Sequence, residues 1–429
     1  MTELPGLRGM LADTRPLQVP EFRRLFTGQA ITVVGAQLTV VAVPAQIYGI
    51  TGSSAYVGLT GVFGLVPLVV FGLWGGSLAD HLDRRRLMIV STVGLIVSSA
   101  ALWFQALAGS NDVWLLLTIY AVQQACFAVN QPTRSSIIPK LVPAALLPAA
   151  SSLTMTVFTA GAIIGPLLGG ALIPVVGYSW LYLVDTITLF ATLWAVLRLP
   201  AMPVERAADA APSSPGLRSV WDGFVYLRDH RVLLMSFVLD LVAMIFGMPR
   251  ALVPEMSHVD FGGPRNGGLG LAVLFAALPV GAFLGGVFSG WVSRVRRHGV
   301  AVAAAIVVWG LAITAMGLAV TSADGTMSWL LWLAAFFLAL GGAADVASAA
   351  FRTAMMQSAA TDAMRGRVQG VFIVVVAGGP RIADVLHGLV SPAIGAGPTT
   401  ALGGVLVVVL TLLLARRGSA FVVYERPDS

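Results

Sequence analysis

The segment Gly75–Arg86, which reads GGSLADHLDRRR, joins an apolar stretch to three consecutive arginines. The apolar stretch begins near residue 55 and is long enough for a helix to cross the roughly 30 Å of bilayer hydrocarbon. Three arginines are not stable at the centre of a bilayer, so the helix must leave the membrane before Arg84. The segment therefore predicts a membrane-spanning helix whose positively charged end lies at 84–86.

The rest of the chain has the same apolar character. Of its 429 residues, 57% are hydrophobic and 11% are charged, whereas an ordinary soluble domain is about a quarter charged. Such a chain cannot cover its surface with polar side chains, which excludes an ordinary soluble protein and indicates a membrane protein. Residues 1–24 are polar and contain prolines, so we expect no cleavable signal peptide.

No enzymatic motif is found in the sequence. It contains no Walker loop, no HExxH and no Gly-x-Ser-x-Gly, and its single cysteine is Cys126. One cysteine excludes an intramolecular disulfide, and no His/Cys pattern suggests zinc. We therefore expect no enzymatic activity, no metal and no cofactor.

Twelve apolar segments follow one another along the chain, separated by short turns or by loops that carry arginine. The predicted fold class is therefore an all-α membrane protein with 12 transmembrane helices. The approximate ranges of the segments are 25–48, 55–78, 87–108, 113–131, 151–174, 180–198, 232–250, 268–292, 299–321, 327–351, 368–393 and 399–415.

The positive charges are distributed unevenly between the two predicted sides of the membrane. If the segments alternate in direction, all but three of the 26 lysine and arginine residues lie in loops on one side, Arg134 and Arg352 among them. The exceptions are Arg250 and Arg265 on the other side and Arg381 within a segment. The positive-inside rule then predicts that the N- and C-termini are cytoplasmic. The basic pI reflects this topology, so we expect no nucleic-acid partner.

A proline-, alanine- and serine-rich segment, LPAMPVERAADAAPSSPGLRS, divides the twelve segments into two sets of six. The predicted domains are an N-terminal six-helix bundle at 1–198, a cytoplasmic linker at 199–231 and a C-terminal six-helix bundle at 232–429. The halves resemble each other weakly, since Arg134 and Arg352 follow corresponding segments close to half the chain length apart. Two duplicated halves are typical of transporters that bind substrate near the midplane between them.

The opening segment also resembles the G-x-x-x-D-R-x-G-R-R loop after the second span of major facilitator superfamily (MFS) transporters. His81 and Asp83 depart from that pattern, and the latter puts a tight backbone turn in doubt. The resemblance implies that this loop is part of a cytoplasmic gate, closed by charges that span the two pseudo-symmetric bundles. The alternative is that the arginines only enforce topology. The residues that match are Gly76, Asp80, Arg84 and Arg85.

The fifth segment contains GAIIGPLLGG, which resembles the antiporter motif of the same superfamily. Glycines four residues apart line one helix face and allow a neighbouring backbone to come close, and a proline permits a bend. The eighth segment repeats this pattern with Gly281 and Gly285. The resemblance implies that the fifth and eighth spans meet between the halves, while static helix packing is the alternative. The matching residues are Gly161, Gly165, Pro166, Gly169 and Gly170.

Four longer stretches of sequence indicate which branch of the superfamily the chain resembles. FAVNQPTRSSIIPKLVPAALLPAASSL, MQSAATDAMRGRVQGVF, GGPRIAD and the opening PEFRRLFTGQAITVVGAQLTVVAVPAQIY are similar to the enterobactin-exporter-like branch of drug:proton antiporters. This resemblance implies proton-coupled export of a small amphipathic molecule. The first segment departs from many such antiporters because it contains Gln29, Gln37 and Gln46 but no acid. Coupling by a carboxylate in the first span is therefore excluded.

Six ionisable residues are predicted within the membrane, where a charged side chain costs roughly 3 kcal/mol and must avoid lipid. Three of them, in GGPRIADVLHG, are spaced three apart and form one helical stripe, in which we expect Arg381 to pair with Asp384. The remaining three acids have no obvious partner on their own helices. Each residue is a candidate for proton coupling or substrate binding, and a structural hydrogen bond is the alternative, favoured slightly for Asp185. The candidates are Asp185, Asp240, Asp345, Arg381, Asp384 and His387.

The sequence therefore predicts a proton-coupled secondary active exporter of small amphipathic molecules in the plasma (inner) membrane of a bacterium. A catecholate-type siderophore is the favoured cargo, and broad multidrug efflux is the alternative. Import is disfavoured by the antiporter motif. A membrane scaffold or sensor that transports nothing is an alternative from another class. The expected partners are the cargo, protons and membrane lipid, and we expect a monomer.

Overall fold

The computed structural model describes residues 13–202, 222, 225–359 and 362–424, with side chains except at 73–81, 358–359, 362–370, 372–374 and 419–420. Over these ranges the chain is helical, with no strand, so the prediction of an all-α protein is confirmed. The long helices are α1 (Pro20–Thr51), α2 (Ser54–His81), α3 (Arg84–Leu107), α4 (Val113–Leu141), α5 (Leu147–Leu197), α6 (Arg231–Gly247), α7 (Leu269–Val287), α8 (His298–Thr321), α9 (Trp329–Ala359), α10 (Asp362–Ile394) and α11 (Ala396–Arg417).

Ten stretches of the described chain are long and apolar enough to cross a membrane. One of them, Ala144–Leu197, has 54 residues, and a straight helix of that length would extend about 80 Å. It is interrupted at Gly177, whose φ of 79° and ψ of 171° are not helical. The predicted fifth and sixth spans are the two arms on either side of this glycine. The protein is therefore multi-pass, whereas the total of twelve spans and the cytoplasmic termini stay predictions.

The outer surface of the helices is consistent with a lipid environment. Large apolar side chains face outward, including Phe104 at 67% and Trp329 at 68% relative exposure. Extended apolar surface of this kind is rare on a soluble monomer. The side chains between the helices are closely packed, and Trp309 is fully buried with its Nε1 donating to the Ala243 carbonyl at 3.3 Å.

The helices form two groups according to their contacts. In the first bundle, α1 and α3 pack against α5, and α4 packs against α2 and α3. In the second bundle, α6 packs against α10 and α11, while α9 packs against α7 and α8. The predicted boundaries at 198 and 231 stay predictions, because most of the linker lies outside the described residues.

The two bundles contact each other mainly through α2 with α10 and through α5 with α7. On α2 the glycines at this interface lie in the turns that follow Ser54, where a Cβ on Gly58 would lie 2.6 Å from the Asp384 carbonyl oxygen. On α5 the carbonyl of Gly170 accepts a hydrogen bond from the Gly268 amide at 2.7 Å. The bundles are thus in close backbone contact at the end of the molecule where α2 begins, which we call the Ser54 end.

Candidate functional site: a cavity between the bundles

A cavity of about 230 Å³ lies between the two bundles. The first bundle contributes most of its lining, and the second contributes Arg250, Ala251, Arg381 and Asp384. Side-chain amides and hydroxyl groups are the most frequent polar groups, and aromatic rings cover part of the wall. The amides are those of Gln29, Gln37, Gln123, Gln124, Asn130 and Gln131, and the aromatic residues are Tyr120, Phe127 and Phe158.

Arg381 crosses the cavity from α10 to α4. Its Nη1 donates a hydrogen bond to the Tyr120 hydroxyl at 2.6 Å, and its Nη2 donates to Gln124 Oε1 at 3.0 Å. The guanidinium carbon lies 5.8 Å from the centroid of the Tyr120 ring. We expected Arg381 to pair with Asp384, but it is held by the first bundle instead. The helix α10 continues through Pro380, which directly precedes Arg381.

Asp384 and His387, which both belong to the predicted polar stripe, have different surroundings in the structure. Asp384 is buried at the cavity wall, close to Ala251 and to the charges of Arg250 and Arg381. His387 is also buried, but its Nε2 lies 3.1 Å from the carbonyl oxygen of Phe246 at the end of α6. The stripe therefore supplies two residues to the cavity, and its histidine takes part in helix packing.

Three arginines line this one cavity: Arg134, Arg250 and Arg381. Arg134 was predicted to lie in a loop, and this was wrong because α4 continues to Leu141. The apolar pair Ile137–Ile138 after the arginine was a signal in the sequence that the helix continues beyond Arg134. Arg250 was counted only as a loop charge, although it begins a short 3₁₀ turn at the cavity. The cavity thus has more positive charge than the sequence indicated.

Asp185, which also borders the cavity, is held by hydrogen bonds within the first bundle. Its Oδ2 accepts from Thr39 Oγ1 at 2.8 Å and from Ser99 Oγ at 2.9 Å. These contacts connect α5 to α1 and α3, and the carboxylate is almost fully buried. The arrangement favours the structural interpretation of Asp185.

Asp240 and Asp345 share a single arginine in the second bundle. Arg352 Nη1 forms an ion pair with Asp240 Oδ2, and Nη2 lies 3.9 Å from Asp345 Oδ1. The side chains of Arg352 and Asp240 are 5% and 2% exposed, whereas that of Asp345 is 33% exposed. The assignment of Arg352 to a loop was wrong, because the residue lies within α9. This cluster, Asp240–Arg352–Asp345, has two carboxylates for one guanidinium group and is separate from the residues that line the cavity.

The antiporter-motif glycines mostly pack within the first bundle. Gly161, Gly165 and Gly169 face α1, while Gly170 is in close contact with Ala272 of α7. The fifth and eighth spans therefore meet at only one end of the motif. We expected Gly281 and Gly285 to face the fifth span, but they face Ala339 and Ala343 of α9. Pro166 lies inside α5 and is buried.

The gate motif is described only in part. Gly76 and Asp80 lie in the last turns of α2, and their side chains are outside the described residues. Arg84 Nη1 lies 3.5 Å from the Ser136 carbonyl oxygen, and Arg85 Nη2 donates to the Leu197 carbonyl at 2.7 Å. Both arginines thus contact the first bundle, and the gate across the two bundles stays a prediction.

Comparison with known proteins identifies a family for nearly the whole chain. The model described as "Major Facilitator Superfamily" matches residues 25–383. A protein named enterobactin exporter EntS from Shigella boydii serotype 18 is 28% identical over 410 residues, covering 92% of this chain and 91% of its own length. The protein of the same name from Citrobacter koseri is 27% identical over 405 residues, with the same coverage.

Solved structures show the same fold at low sequence identity. The nucleoside transporter NupG superposes with a TM-score of 0.72 and 12% identity, covering 94% of this chain and 99% of that one. A peptide transporter POT in complex with alafosfalin gives a TM-score of 0.74 and 12% identity, covering 94% of each chain. A bacterial homologue of the lysosomal transporter Spinster, solved inward-facing and unoccupied, gives 0.64 and 17%, covering 95% of this chain and 97% of that one.

Proposed function

Because the chain belongs to the Major Facilitator Superfamily, we propose that it is a proton-coupled exporter of a catecholate-type siderophore in the inner membrane of a bacterium. The family and the named relatives are transporters, so the protein is a multi-pass membrane transporter and not an enzyme. The proposal adds cargo, direction, energy source and membrane to that statement. It includes twelve spans, two six-helix halves, cytoplasmic termini and a monomeric state.

The observation that carries the cargo proposal is the set of three arginines around one cavity. Two acids also line it, but Asp185 already accepts hydrogen bonds from Thr39 and Ser99. These hydroxyl donors hold Asp185 without cancelling its charge, so the three arginines exceed the two acids by one positive charge. A cavity with excess guanidinium charge favours an anionic cargo, since guanidinium groups form strong charge-assisted hydrogen bonds with oxygen anions. Catecholates supply such oxygens.

The remaining lining suits the other parts of a catecholate siderophore. Aromatic rings such as Tyr120, Phe127 and Phe158 can stack on catechol rings. The side-chain amides can donate to and accept from the carbonyl and amide groups of the cargo. The relatives named enterobactin exporters support a siderophore over an unrelated anion. A broad multidrug exporter is the second candidate, because aromatic walls also bind varied apolar molecules.

We place proton coupling at the Asp240–Arg352–Asp345 cluster. With both carboxylates ionised the cluster has one excess negative charge, and one proton would neutralise it. Asp345 is the more exposed of the two acids, since a third of its side chain is exposed whereas that of Asp240 is buried. Arg352 lies within reach of both acids, so a proton on Asp240 would shift its pairing toward Asp345, whereas a proton on Asp345 would leave it paired with Asp240. Asp384 is the second candidate for the proton carrier.

Equilibrium binding to the purified protein tests the cargo proposal. We expect a catecholate siderophore to bind, and Arg381→Gln to weaken it about 10- to 100-fold, because each hydrogen bond to a charged group contributes about 1.5–3 kcal/mol. Arg23→Gln is the matched control, since Arg23 is exposed and is not among the residues that line the cavity.

Three other outcomes would overturn this proposal. Tighter binding of the cation ethidium than of the catecholate would favour multidrug efflux. Binding of neither molecule would favour a scaffold or sensor. Equal loss of catecholate affinity in Arg381→Gln and Arg23→Gln would show that the cavity arginine is not the contact.

A further inference from the structure

Glu255 connects the two bundles at the Ser54 end. The residue lies in the short helical segment Val253–Glu255, which follows α6 in the second bundle. Its Oε2 accepts one hydrogen bond from Ser54 Oγ, at the start of α2 in the first bundle. The same oxygen accepts a second hydrogen bond from Ser391 Oγ of α10, at 2.7 Å. We refer to Ser54, Glu255 and Ser391 as the latch.

The surroundings of the latch are closely packed. Both serines are buried, with about one per cent of their surface exposed. Beneath them Gly388 of α10 and Gly58 of α2 are in direct contact, since a Cβ on Gly388 would lie 2.8 Å from the Gly58 Cα. The backbones can approach this closely only because both residues are glycine. The latch therefore closes over a part of the interface where the backbones of α2 and α10 are in direct contact.

A second pair of contacts covers the neighbouring end of α1. A Cβ on Gly52 would lie 2.6 Å from Arg265 Nη2, and one on Gly49 would lie 3.0 Å from Asn266 Oδ1. Arg265 and Asn266 belong to the loop of the second bundle that lies between Val253–Glu255 and α7. The Ser54 end is thus closed by polar groups of the second bundle that rest on the first bundle.

We propose that Glu255 holds the Ser54 end closed, and that its bond to Ser54 must break each time this end opens during transport. The two bonds to Glu255 differ in kind: the bond from Ser54 crosses between the bundles, whereas the bond from Ser391 stays within the second. Ser391 therefore positions the carboxylate, and Ser54 is the residue released. When the end opens, water can replace Ser54 at the carboxylate, so the latch is reversible.

This arrangement suits a transporter that moves its two halves as rigid bodies. Rocking about a central site must separate α2 from α10 at one end while the other end closes. Apolar contacts at the Ser54 end can separate without the loss of a hydrogen bond, whereas opening breaks the Ser54–Glu255 bond and the backbone bond from Gly268 to Gly170. The latch therefore sets the balance between the closed and open states of this end. The inference rests on rocking within the superfamily and not on the identity of the cargo.

The test is a distance measurement across the Ser54 end by pulsed electron paramagnetic resonance. Spin labels are attached to Asn111→Cys in the first bundle and Ser322→Cys in the second, both exposed positions, in a Cys126→Ala background. We expect Glu255→Ala to raise the ratio of open to closed conformers about tenfold, which corresponds to about 1.4 kcal/mol. Glu255→Gln keeps an acceptor oxygen without the charge, so we expect a smaller shift.

The double variant Ser54→Ala/Ser391→Ala leaves Glu255 in place and should give a shift similar to that of Glu255→Ala, which keeps the test informative if the latter fails to fold. Asp324→Ala, which removes an exposed acid from the same end, is the matched control and should change nothing. An unchanged distance distribution in the serine double variant would overturn the inference, as would an equal shift in Asp324→Ala. Neither result depends on which cargo is transported.

Discussion

Replacing Arg352 by glutamine removes the guanidinium group that Asp240 and Asp345 share. Arg352 and Asp240 are 5% and 2% exposed, so water cannot replace the lost partner of Asp240. Removing one member of a buried ion pair costs about 3–5 kcal/mol, because the remaining charge is left uncompensated. We therefore expect Arg352→Gln to be strongly destabilising.

The chain offers a matched control for this substitution. Arg15 and Asp13 also form an ion pair, with a separation of 2.6 Å, but their side chains are 68% and 34% exposed. A solvent-exposed pair contributes about 0–1 kcal/mol. Arg15→Gln removes the same kind of charge and adds the same side chain, so the comparison isolates the effect of burial.

The assay is thermal denaturation of the purified protein in lipid nanodiscs at a fixed heating rate, since unfolding of a protein of this size is commonly irreversible. One kcal/mol shifts the transition of a 150- to 250-residue unit by about 2–4 °C. We expect Arg352→Gln to lower the transition by roughly 6–20 °C and Arg15→Gln to leave it nearly unchanged. The double variant Arg352→Gln/Asp240→Asn should recover at least half of the loss, because it leaves no unpaired charge at Asp240.

Two results would refute this reasoning. Equal stability of Arg352→Gln and Arg15→Gln would show that the buried pair contributes no more than an exposed one. Additive losses in Arg352→Gln/Asp240→Asn would show that the two residues are not coupled, since a double-mutant cycle measures their interaction directly.

Further predictions concern single residues. Asp185→Asn should preserve transport but lower the thermal transition, because its hydrogen bonds are structural; unchanged stability with lost transport would contradict this. Asp345→Asn should abolish transport driven by a pH gradient while cargo exchange at equal pH persists, and loss of both activities would refute its coupling role. Gly61→Leu should hinder closure of the Ser54 end, because even its Cβ would lie 2.8 Å from Val385 Cγ2. Gly286→Leu, at a position with open space around it, should not change the label distances, and equal effects of the two substitutions would refute the steric argument.

The sequence predicted the family and the helical architecture because both depend on local patterns. Apolar segments of membrane length and motifs such as GAIIGPLLGG can be identified without knowledge of the contacts between helices. The break at Gly177 was also predicted, as the turn VGYSW between the fifth and sixth segments. Positions of this kind are determined by residues that are close together in the chain.

The charged residues were harder to place, because their partners are distant in sequence. Counting arginines by the positive-inside rule assigned all of them except Arg381 to loops, so Arg134 and Arg352 were misplaced although both lie within long helices. The ion pair of Arg352 joins α9 to α6, and such a pairing leaves no local pattern. Glu255 was missed for the same reason, since its partners Ser54 and Ser391 come from α2 and α10.

Transport by the purified protein in liposomes with an internal pH dye tests the central claim most directly. A proton gradient is imposed, and either a catecholate siderophore or ethidium is added to wild type, Arg381→Gln and Arg23→Gln. The account predicts proton movement that requires the catecholate, is strongly reduced in Arg381→Gln and is unchanged in Arg23→Gln. The account would be contradicted if protons moved on addition of ethidium but not of the catecholate, or if the catecholate caused no proton movement.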